Sequence, residues 1–316
     1  MSATFRTRVL ARVPAPGHPA YVHAHTNGRV YAGNYVAGGD DRRASRVFEW
    51  RADGTLLRSW TVPGQRLDGT QGVQVAEQTH DGRLVLLETS TRSVLTLDVA
   101  TGRFRRVARL PAGAVPNYAT WGPAGLLVTD YAQGTIWRVG RRGRVSAWLT
   151  SPALDGVDSF GTTGIRFHAG RVLVTQQTTP GATPTQGHLY EVPVRGGRPG
   201  ELRTLWTSRP GDLPDGFGLG RSGRFHVACV GPSNQLVVLS RTGRELRRFP
   251  EVPLTGENGS AVPFDGPCNA TFQGRRLLVA NQAVVSGDAS HMAVLTVDVG
   301  EPGTPPHRPR SATFTV

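Results

Sequence analysis

The sequence predicts an all-β protein, a six-bladed β-propeller of four-stranded antiparallel blades around a central channel. Two observations carry this prediction. Gly 40 and Pro 23 together make up about a fifth of the 316 residues, which is too many turn-forming residues for a helical protein. A glycine followed by a short apolar run also recurs six times at intervals of about 50 residues, and repeats of this length are typical of propeller blades.

The repeated glycine marks a turn that leads into a short strand. Its six copies are Gly28-Arg29-Val30-Tyr31, Gly82-Arg83-Leu84-Val85, Gly125-Leu126-Leu127-Val128, Gly170-Arg171-Val172-Leu173, Gly223-Arg224-Phe225-His226 and Gly274-Arg275-Arg276-Leu277. A strand precedes each glycine, and third and fourth strands follow most of them, as at residues 46–50 and 56–60. A lone meander of this kind exposes two apolar faces, so packing each one between two neighbours in a ring buries them.

Closing the ring requires one further strand, because the last repeat has only three clear strands. We expect residues 5–10 to supply it, with residues 312–316 as the competitor. The chain is then one domain with blades at about residues 16–62, 70–111, 115–150, 162–207, 213–250 and 267–300, closed by residues 4–10. A two-sheet sandwich is the alternative, but it does not call for six matching units.

The charge of the chain is strongly positive, with a formal net charge of +13 and with arginine as the only basic residue besides histidine. The arginines occur in ones and twos, as at Arg42-Arg43 and Arg247-Arg248, without a long basic run. We therefore expect no nucleic-acid partner. Dispersed positive charge can instead attract an anionic small-molecule substrate. We expect such a substrate and a monomer or weak homodimer.

The cysteine content and the N-terminal sequence indicate the cellular compartment in which we expect the protein. Cys229 and Cys268 are too few for a disulfide scaffold or for a zinc site with four Cys/His ligands, so we expect free thiols. Arg6, Arg8 and Arg12 interrupt the apolar stretches near the N-terminus, which predicts neither a secretory signal nor a membrane span. The expectation is a cytoplasmic protein without a membrane partner.

Polar residues recur where the predicted channel opens. In a propeller the innermost strands converge on the central channel, and the residues that begin these strands face its mouth. Those positions are Gly17 or His18, Gln71, Asn117, Thr163, Asp215, and Cys268 or Asn269. The loops after the second strands add Asn34, Glu88, Asp130, Gln176, Cys229 and Asn281. Oxygen donors predominate, and this suits a hard divalent cation such as calcium or magnesium.

Several segments carry a family resemblance. They are Leu213-Pro214-Asp215-Gly216-Phe217, Thr162-Thr163-Gly164-Ile165, Val128-Thr129-Asp130-Tyr131, and Gly266-Pro267-Cys268-Asn269-Ala270-Thr271-Phe272 followed by Leu277-Leu278-Val279-Ala280-Asn281. Over residues 16–303 the chain resembles the regucalcin/gluconolactonase family. The individual motifs are also similar to those of other six-bladed propellers, including strictosidine-synthase-like proteins and the NHL-repeat group.

The resemblance implies a single divalent cation, most simply calcium, at the channel mouth. Family members hold it with a Glu that opens the first blade, an Asn that opens the fourth and an Asp that opens the fifth, and a third-blade Asn lies near the substrate. Asp215 matches the Asp, and Asn117 matches the third-blade Asn. The metal would polarise a lactone carbonyl or activate a water molecule, with Asp215 as a ligand or general base.

Two family positions differ in this chain. The family's Glu falls on Gly17-His18-Pro19, and the fourth-blade Asn falls on Thr163. Loss of one of two carboxylates weakens a hard-cation site considerably. His18 is the candidate substitute, which gives Asp215, Asn117 and His18 as the predicted metal ligands. Glu88 and Asp130 join Asp215 as candidate catalytic carboxylates.

The predicted substrate-binding residues are Asn117, Gln71, Thr163, Asn269 and Glu257. Glu257 lies in one of two long loops, residues 176–188 and 250–267, and loops of this length are commonly functional lids. Structural explanations exist beside the functional ones, because Asp215 in Pro-Asp-Gly can cap a turn and Asn side chains often satisfy backbone groups.

Three functions remain open from the sequence. The first is hydrolysis of a lactone or ester by a member of the gluconolactonase-like superfamily, with an uncertain divalent cation. The second is a metal-free lyase or cyclase that resembles strictosidine-synthase-like proteins of secondary metabolism. The third is a propeller that binds a ligand without catalysis, since this scaffold serves both purposes.

Overall fold

The protein, described here by a computed structural model, is almost entirely β-structure. The structure describes residues 5–14, 17–36, 42–69, 71–181 and 186–315. Within these ranges the helical structure is a single 3-10 turn, Pro152–Leu154, far shorter than the roughly 20 residues that cross a membrane. Residues 4, 16, 37–41, 70, 182–185 and 316 of the predicted blades, loop and C-terminal strand lie outside the described residues.

The chain begins with β1 (Arg6–Arg12), and the next eight strands form the largest sheet. These strands are β2 (His18–Ala24), β3 (Val30–Val36), β4 (Arg46–Trp50), β5 (Leu56–Thr61), β6 (Gln71–Gln78), β7 (Leu84–Glu88), β8 (Ser93–Asp98) and β9 (Arg103–Arg109). They form two antiparallel meanders, β2–β5 and β6–β9. The meanders join where Tyr35 and Val36 of β3 pair with Gly72 and Gln71 of β6.

Three further sheets follow in sequence order, and their strands pair antiparallel. The first consists of β10 (Pro116–Gly122), β11 (Gly125–Asp130), β12 (Thr135–Val139) and β13 (Val145–Thr150). The second consists of β14 (Thr162–His168), β15 (Arg171–Gln176) and β16 (His188–Arg195), with β17 (Arg198–Pro199) and β18 (Arg203–Thr207) both paired to β16. The third consists of β19 (Pro214–Leu219), β20 (Phe225–Cys229), β21 (Gln235–Leu239) and β22 (Glu245–Phe249).

The last sheet joins the two ends of the chain. It contains β23 (Pro267–Gln273), β24 (Arg276–Asn281), β25 (Ala293–Asp298) and β1. β1 pairs antiparallel with β25, and Arg6 lies opposite Asp298. The N-terminal strand therefore takes the outer place expected for residues 5–10, and residues 312–315 lie elsewhere.

The arrangement of the sheets is that of a propeller. The first strands of successive meanders are neighbours in a closed cycle, which runs β2, β6, β10, β14, β19, β23 and back to β2. Apolar side chains fill the spaces between adjacent sheets. Between the first and last meanders, for example, Phe48 and Trp50 of β4 pack with Leu278 and Ala280 of β24. This packing buries the faces that a single meander would expose.

The six repeat glycines occupy the turns between first and second strands. All six have a positive φ, from 62° at Gly274 to 126° at Gly125. Residues with a β-carbon are strained in this region, so the turn itself requires glycine. The sequence repeat is therefore a repeat of this backbone conformation.

Residues 301–315 cross the end of the propeller opposite the start of the first strands. Thr304 N donates to Leu219 O at 2.8 Å, and His80 N donates to Ala312 O at 2.7 Å. Between these points Arg308 reaches Glu77 at 3.5 Å. Near its end, the ring of Phe314 packs on Trp121 at 5.2 Å. The C-terminal segment therefore covers this end of the channel.

Candidate functional site

A cavity of about 510 Å³ lies at the end of the channel where the first strands begin. Each of the five sheets lines it through a residue in, or directly after, one of its strands. One residue from each sheet is Tyr35, Asn117, Gln177, Asp215 and Cys268. The volume is in the range of small-molecule sites. The sequence predicted a site at this end of the propeller, and the cavity is the feature found there.

The walls of the cavity are mainly apolar and aromatic. The aromatic lining residues are Tyr21, Tyr35, Tyr131 and Phe160, and the aliphatic ones are Val115, Leu213, Val230, Val284 and Val285. The described residues that line it include no arginine and no carboxylate besides Asp215. The strong positive charge of the chain is therefore not concentrated in this site.

Asp215 lies at the centre of a hydrogen-bond network in the cavity. The Tyr21 hydroxyl donates to its Oδ1, and Gln177 Nε2 donates to its Oδ2 at 3.1 Å. The Tyr131 hydroxyl donates in turn to Gln177 Oε1 at 2.5 Å. Both carboxyl oxygens therefore have partners, and a second tyrosine fixes the orientation of the Gln177 amide.

The Tyr21 hydroxyl also lies 2.7 Å from Asn117 Oδ1. A phenol has one proton and can donate it to only one of the two neighbouring oxygens at a time. When Asp215 is protonated, its own O–H can donate to the Tyr21 oxygen, and Tyr21 can then donate to Asn117. The three side chains thus form a chain of hydrogen bonds whose direction can reverse when Asp215 gains or loses a proton.

Burial controls the acidity of Asp215. The side chain is 5% exposed, and desolvation raises the pKa of its carboxyl to about 7, against the lowering effect of the Tyr21 and Gln177 hydrogen bonds. Burial, reinforced by the charge of Asp215, raises the pKa of Tyr21 well above its usual value. Asp215 is therefore the group in this network that can gain or lose a proton near neutral pH.

The backbone at Tyr21 explains how its side chain reaches the cavity. Tyr21 has a φ of 52°, and the pairing of β2 with β3 shifts register between Ala20 and Val22. A bulge of this kind redirects a side chain from the regular alternation of the strand. The Tyr21 ring stacks on Tyr118 at 4.2 Å, which holds the phenol in place.

Glu88 and Asp130, the other candidate catalytic carboxylates, lie outside the cavity lining. Glu88 accepts hydrogen bonds from Ser90 N at 2.8 Å, Thr91 N at 2.9 Å and Gln65 Nε2 at 3.1 Å. These bonds hold the turn that follows β7. The carboxyl group is thus occupied by the local backbone and by a neighbouring loop.

Asp130 has the equivalent place after β11. It accepts from the backbone N–H groups of Val115, Ala132 and Gln133, at 2.9, 3.0 and 3.2 Å, and from Trp137 Nε1 at 2.8 Å. Burial raises its pKa, and these hydrogen bonds oppose the rise. A carboxylate that accepts hydrogen bonds from four donors in this way caps the loop and has a structural role.

Of the five predicted substrate-binding residues, one lines the cavity and four lie outside its lining. Asn117 lines the cavity, whereas Gln71, Thr163 and Asn269 are buried outside its lining and hydrogen-bond backbone groups of other segments. Gln71 Nε2 donates to Arg43 O at 2.7 Å, Thr163 Oγ1 to Pro214 O at 3.1 Å, and Val22 N donates to Asn269 Oδ1 at 3.1 Å. Glu257 is exposed on its loop and does not line the cavity.

The two cysteines are both buried, and Cys268 lines the cavity. Desolvation by burial raises the pKa of both thiols. Because the thiolate is the reactive form of cysteine, Cys268 presents an unreactive thiol to the cavity. It therefore serves as a small apolar wall residue.

The residues around Asp215 do not fit a hard divalent cation. Such an ion needs several oxygen ligands, and these commonly include more than one carboxylate. Asp215 is the one carboxylate among the described residues of the cavity lining, and the Tyr21 phenol occupies the position between it and Asn117. His18, the predicted third ligand, lies outside the cavity lining and donates from Nδ1 to Gln282 O at 3.1 Å. Within the described ranges, no group of three or more His, Cys, Asp or Glu side chains could hold a metal ion.

Comparison with known proteins reveals the same architecture in solved structures. Regucalcin from Agrobacterium tumefaciens, a calcium-binding protein, is 16% identical with a TM-score of 0.64, and the match covers 98% of each chain. The fold is that of the regucalcin and gluconolactonase propellers. A gluconolactonase from Xanthomonas campestris is 17% identical with a TM-score of 0.54, over 93% of this chain and 97% of that one. This confirms, at the level of fold, the resemblance seen in the sequence.

A lyase has a similar fold. Virginiamycin B lyase from Staphylococcus aureus is 13% identical with a TM-score of 0.59, over 92% of this chain and 98% of the lyase. No family model and no curated protein matches the sequence. The similarity to solved structures therefore establishes the fold, and the chemistry has to be argued from the site.

Sequence reasoning missed three members of the network, Tyr21, Gln177 and Tyr131. Tyr21 lies inside an apolar strand, four residues after the glycine that was aligned with the family's first-blade position. Gln177 directly follows Gln176, the position that the repeat alignment selected. The signal that could have found these three residues is a polar or aromatic side chain within one or two positions of each aligned site. A bulge or the end of a strand can change which of these neighbouring residues faces the channel.

Proposed function

We propose that this protein is a small-molecule hydrolase that cleaves a lactone or related ester by general acid–base catalysis at Asp215, without a metal ion. The observation that carries the proposal is the isolation of Asp215 in an apolar cavity, with Tyr21 and Gln177 on its two oxygens. The propeller fold, which gluconolactonases share, supports the reaction class.

The residues present can carry out each proton transfer of such a reaction. Deprotonated Asp215 takes a proton from a water molecule, the water oxygen forms a bond to the carbonyl carbon of the substrate, and the π bond of the carbonyl breaks so that its electron pair moves onto the carbonyl oxygen. When the tetrahedral intermediate collapses, the bond to the ring oxygen breaks, and protonated Asp215 returns the proton to the leaving alkoxide. A carboxyl whose pKa is about 7 suits both roles at neutral pH.

Calcium is the cofactor that the family resemblance implies, and the regucalcin neighbour is named as calcium-binding. The donors around Asp215 favour chemistry without it. In this proposal the Tyr21 hydroxyl supplies the polar contact that would otherwise come from an ion, because it lies between Asn117 and Asp215. Hydrogen-bond donors that stabilise developing charge are an established alternative to a metal.

We also propose that the propeller has six blades. The eight-stranded sheet contains two meanders that resemble the other four sheets in strand order. The closed cycle of six first strands supports counting these meanders as separate blades.

The test of the proposed function is hydrolysis of a panel of lactones and esters by the wild type and two variants. Asp215→Asn removes the acid–base group and keeps the size of the side chain. Glu257→Gln is the matched control, because it neutralises an exposed carboxylate outside the cavity. We expect activity in the wild type and in Glu257→Gln, and a loss of at least about 100-fold in Asp215→Asn. Equal turnover by Asp215→Asn would contradict the proposal.

A metal-free lyase or cyclase is the second candidate, because the cavity is lined mainly by apolar side chains and has few groups to position water. The same Asp215 would then abstract or donate a proton without hydrolysis. Product analysis separates the two reactions, since incorporation of oxygen from labelled water occurs only in hydrolysis. Binding without turnover of any compound would favour a ligand-binding propeller.

A further inference from the structure

We propose that the substrate is an uncharged molecule with an extended apolar tail, and that Phe160, Val284 and Val285 form the rim that receives this tail. The proposal rests on the proposed function, since it names the substrate class of the same site. It differs from the sequence-based expectation of an anionic substrate.

The first argument is the composition of the cavity walls. Val115, Leu213, Val230 and the aromatic rings offer no hydrogen bonds along most of the surface. Asn117 Oδ1 and both polar atoms of the Gln177 amide are already engaged with Tyr21, Tyr131 and Asp215, and Thr89, Gln282 and the amide nitrogen of Asn117 are the other polar side-chain groups at the wall besides the tyrosine hydroxyls. A polyhydroxylated lactone would leave most of its hydroxyl groups without partners here, whereas an alkyl or aryl tail would lose no hydrogen bonds.

The second argument is the exposure of the rim. Phe160 is 45% exposed, Val284 42% and Val285 91%, and all three line the cavity opening. Large apolar side chains left together at a cavity mouth in this way often mark a binding surface. They continue the apolar wall outward, so a tail longer than the cavity would still be covered.

The third argument is charge. The chain has many arginines, yet the described residues that line the cavity include none. An anionic group would lie near the Asp215 carboxylate without a compensating cation, and this arrangement is costly in a desolvated site. An uncharged reacting group avoids that cost.

The direct test is binding of 2-alkylcyclopentanones, which resemble lactones but cannot be hydrolysed. Calorimetry with ethyl, butyl and hexyl tails should give affinities that increase by up to about fourfold for each added methylene. Octanoate and octylammonium serve as charged probes with a similar tail. We expect octanoate to bind at least about tenfold more weakly than the hexyl ketone, and octylammonium to do so below about pH 6, where Asp215 is protonated and offers the ammonium group no opposite charge.

The rim is tested with the double variant Val284→Ser/Val285→Ser. It should weaken binding of the hexyl ketone several-fold and leave the ethyl ketone nearly unchanged. Val252→Ser is the matched control, because Val252 is 62% exposed but does not line the cavity. Equal effects of the two changes on the hexyl ketone would contradict the assignment of the rim.

The outcomes distinguish this inference from the proposed function. Chain-length-dependent binding of the ketones without hydrolysis of any lactone would support the apolar site and overturn the hydrolase. Faster turnover of δ-gluconolactone than of γ-decalactone would support the hydrolase and overturn the apolar substrate. Tighter binding of octanoate than of the hexyl ketone, or of octylammonium at a pH where Asp215 is protonated, would overturn the uncharged substrate.

Discussion

The Tyr21 hydroxyl donates a hydrogen bond to Oδ1 of Asp215 in the candidate active site. The same hydroxyl lies 2.7 Å from Asn117, so a phenol stands between two of the three side chains predicted from the sequence as metal ligands. This contact links the acidity of Asp215 to Tyr21. It also offers a physical reason why the chain can lack the Glu that the family resemblance implies.

The pH dependence of activity should respond to the Tyr21 hydroxyl. Its hydrogen bond lowers the pKa of Asp215, so Tyr21→Phe should raise that pKa further by roughly one unit. The midpoint of the rise in kcat/KM with pH should move to higher pH by the same amount. Tyr35→Phe is the control, because the Tyr35 hydroxyl accepts from Gln74 and has no hydrogen bond to Asp215. An unchanged or lower midpoint in Tyr21→Phe would contradict the coupling.

Stability should also depend on pH through Asp215. Its pKa is about 7 in the folded protein against 3.8 for the free side chain, so the folded state binds the proton more tightly. This contribution to stability is fully present below pH 4 and is lost as the pH rises through 7. The free energy of unfolding of Asp215→Asn relative to wild type should therefore increase between pH 4 and pH 8, by on the order of 4 kcal/mol. Urea unfolding at several pH values measures this free-energy difference, with Glu257→Gln as the control. A difference between Asp215→Asn and wild type that does not change with pH would contradict the raised pKa of Asp215.

Asp130 should matter for folding and not for chemistry. Asp130→Ala would leave three backbone N–H groups and the Trp137 indole without their acceptor. A single buried unpaired donor costs about 1–3 kcal/mol, so we expect a loss of at least roughly 3 kcal/mol in the free energy of unfolding. Activity per folded molecule should stay close to that of the wild type. A large loss of kcat at unchanged stability would instead make Asp130 a catalytic residue.

The C-terminal segment should contribute to the stability of the whole propeller. Phe314 is buried and packs on Trp121, so Phe314→Ala should cost about 3–5 kcal/mol in the free energy of unfolding. Val252→Ala is the control on an exposed loop. Chemical denaturation compares the two variants. A loss of less than about 1 kcal/mol in Phe314→Ala would mean that the segment only rests on the surface.

Most of the fold could be predicted from the sequence, because propeller blades repeat a local requirement. The predicted third strand at residues 46–50 coincides with β4, and the predicted fourth strand at residues 56–60 lies within β5. These strands lie next to turns whose positive φ requires glycine, so the turns can be recognised in the sequence. The path of residues 301–315 had no such signature, since its contacts are with distant parts of the chain.

The candidate site could be predicted only in part. Asn117 and Asp215 could be predicted because both lie at the start of a first strand. There the position of a residue in the repeat determines whether its side chain faces the channel. Tyr21 was missed because a bulge in β2 turns its side chain toward the cavity. Glu88 and Asp130 lie at equivalent loop positions, and sequence spacing cannot separate a carboxylate that caps a loop from one that faces a substrate.

The central claim is that Asp215 acts as the acid–base group without a metal ion. The most direct measurement is the pH profile of kcat/KM for an apolar lactone, after removal of metals and with a chelator present. We predict full activity under these conditions, with a rise through pH 7 that is absent in Asp215→Asn. Loss of activity with the chelator, restored by added calcium, would contradict the claim.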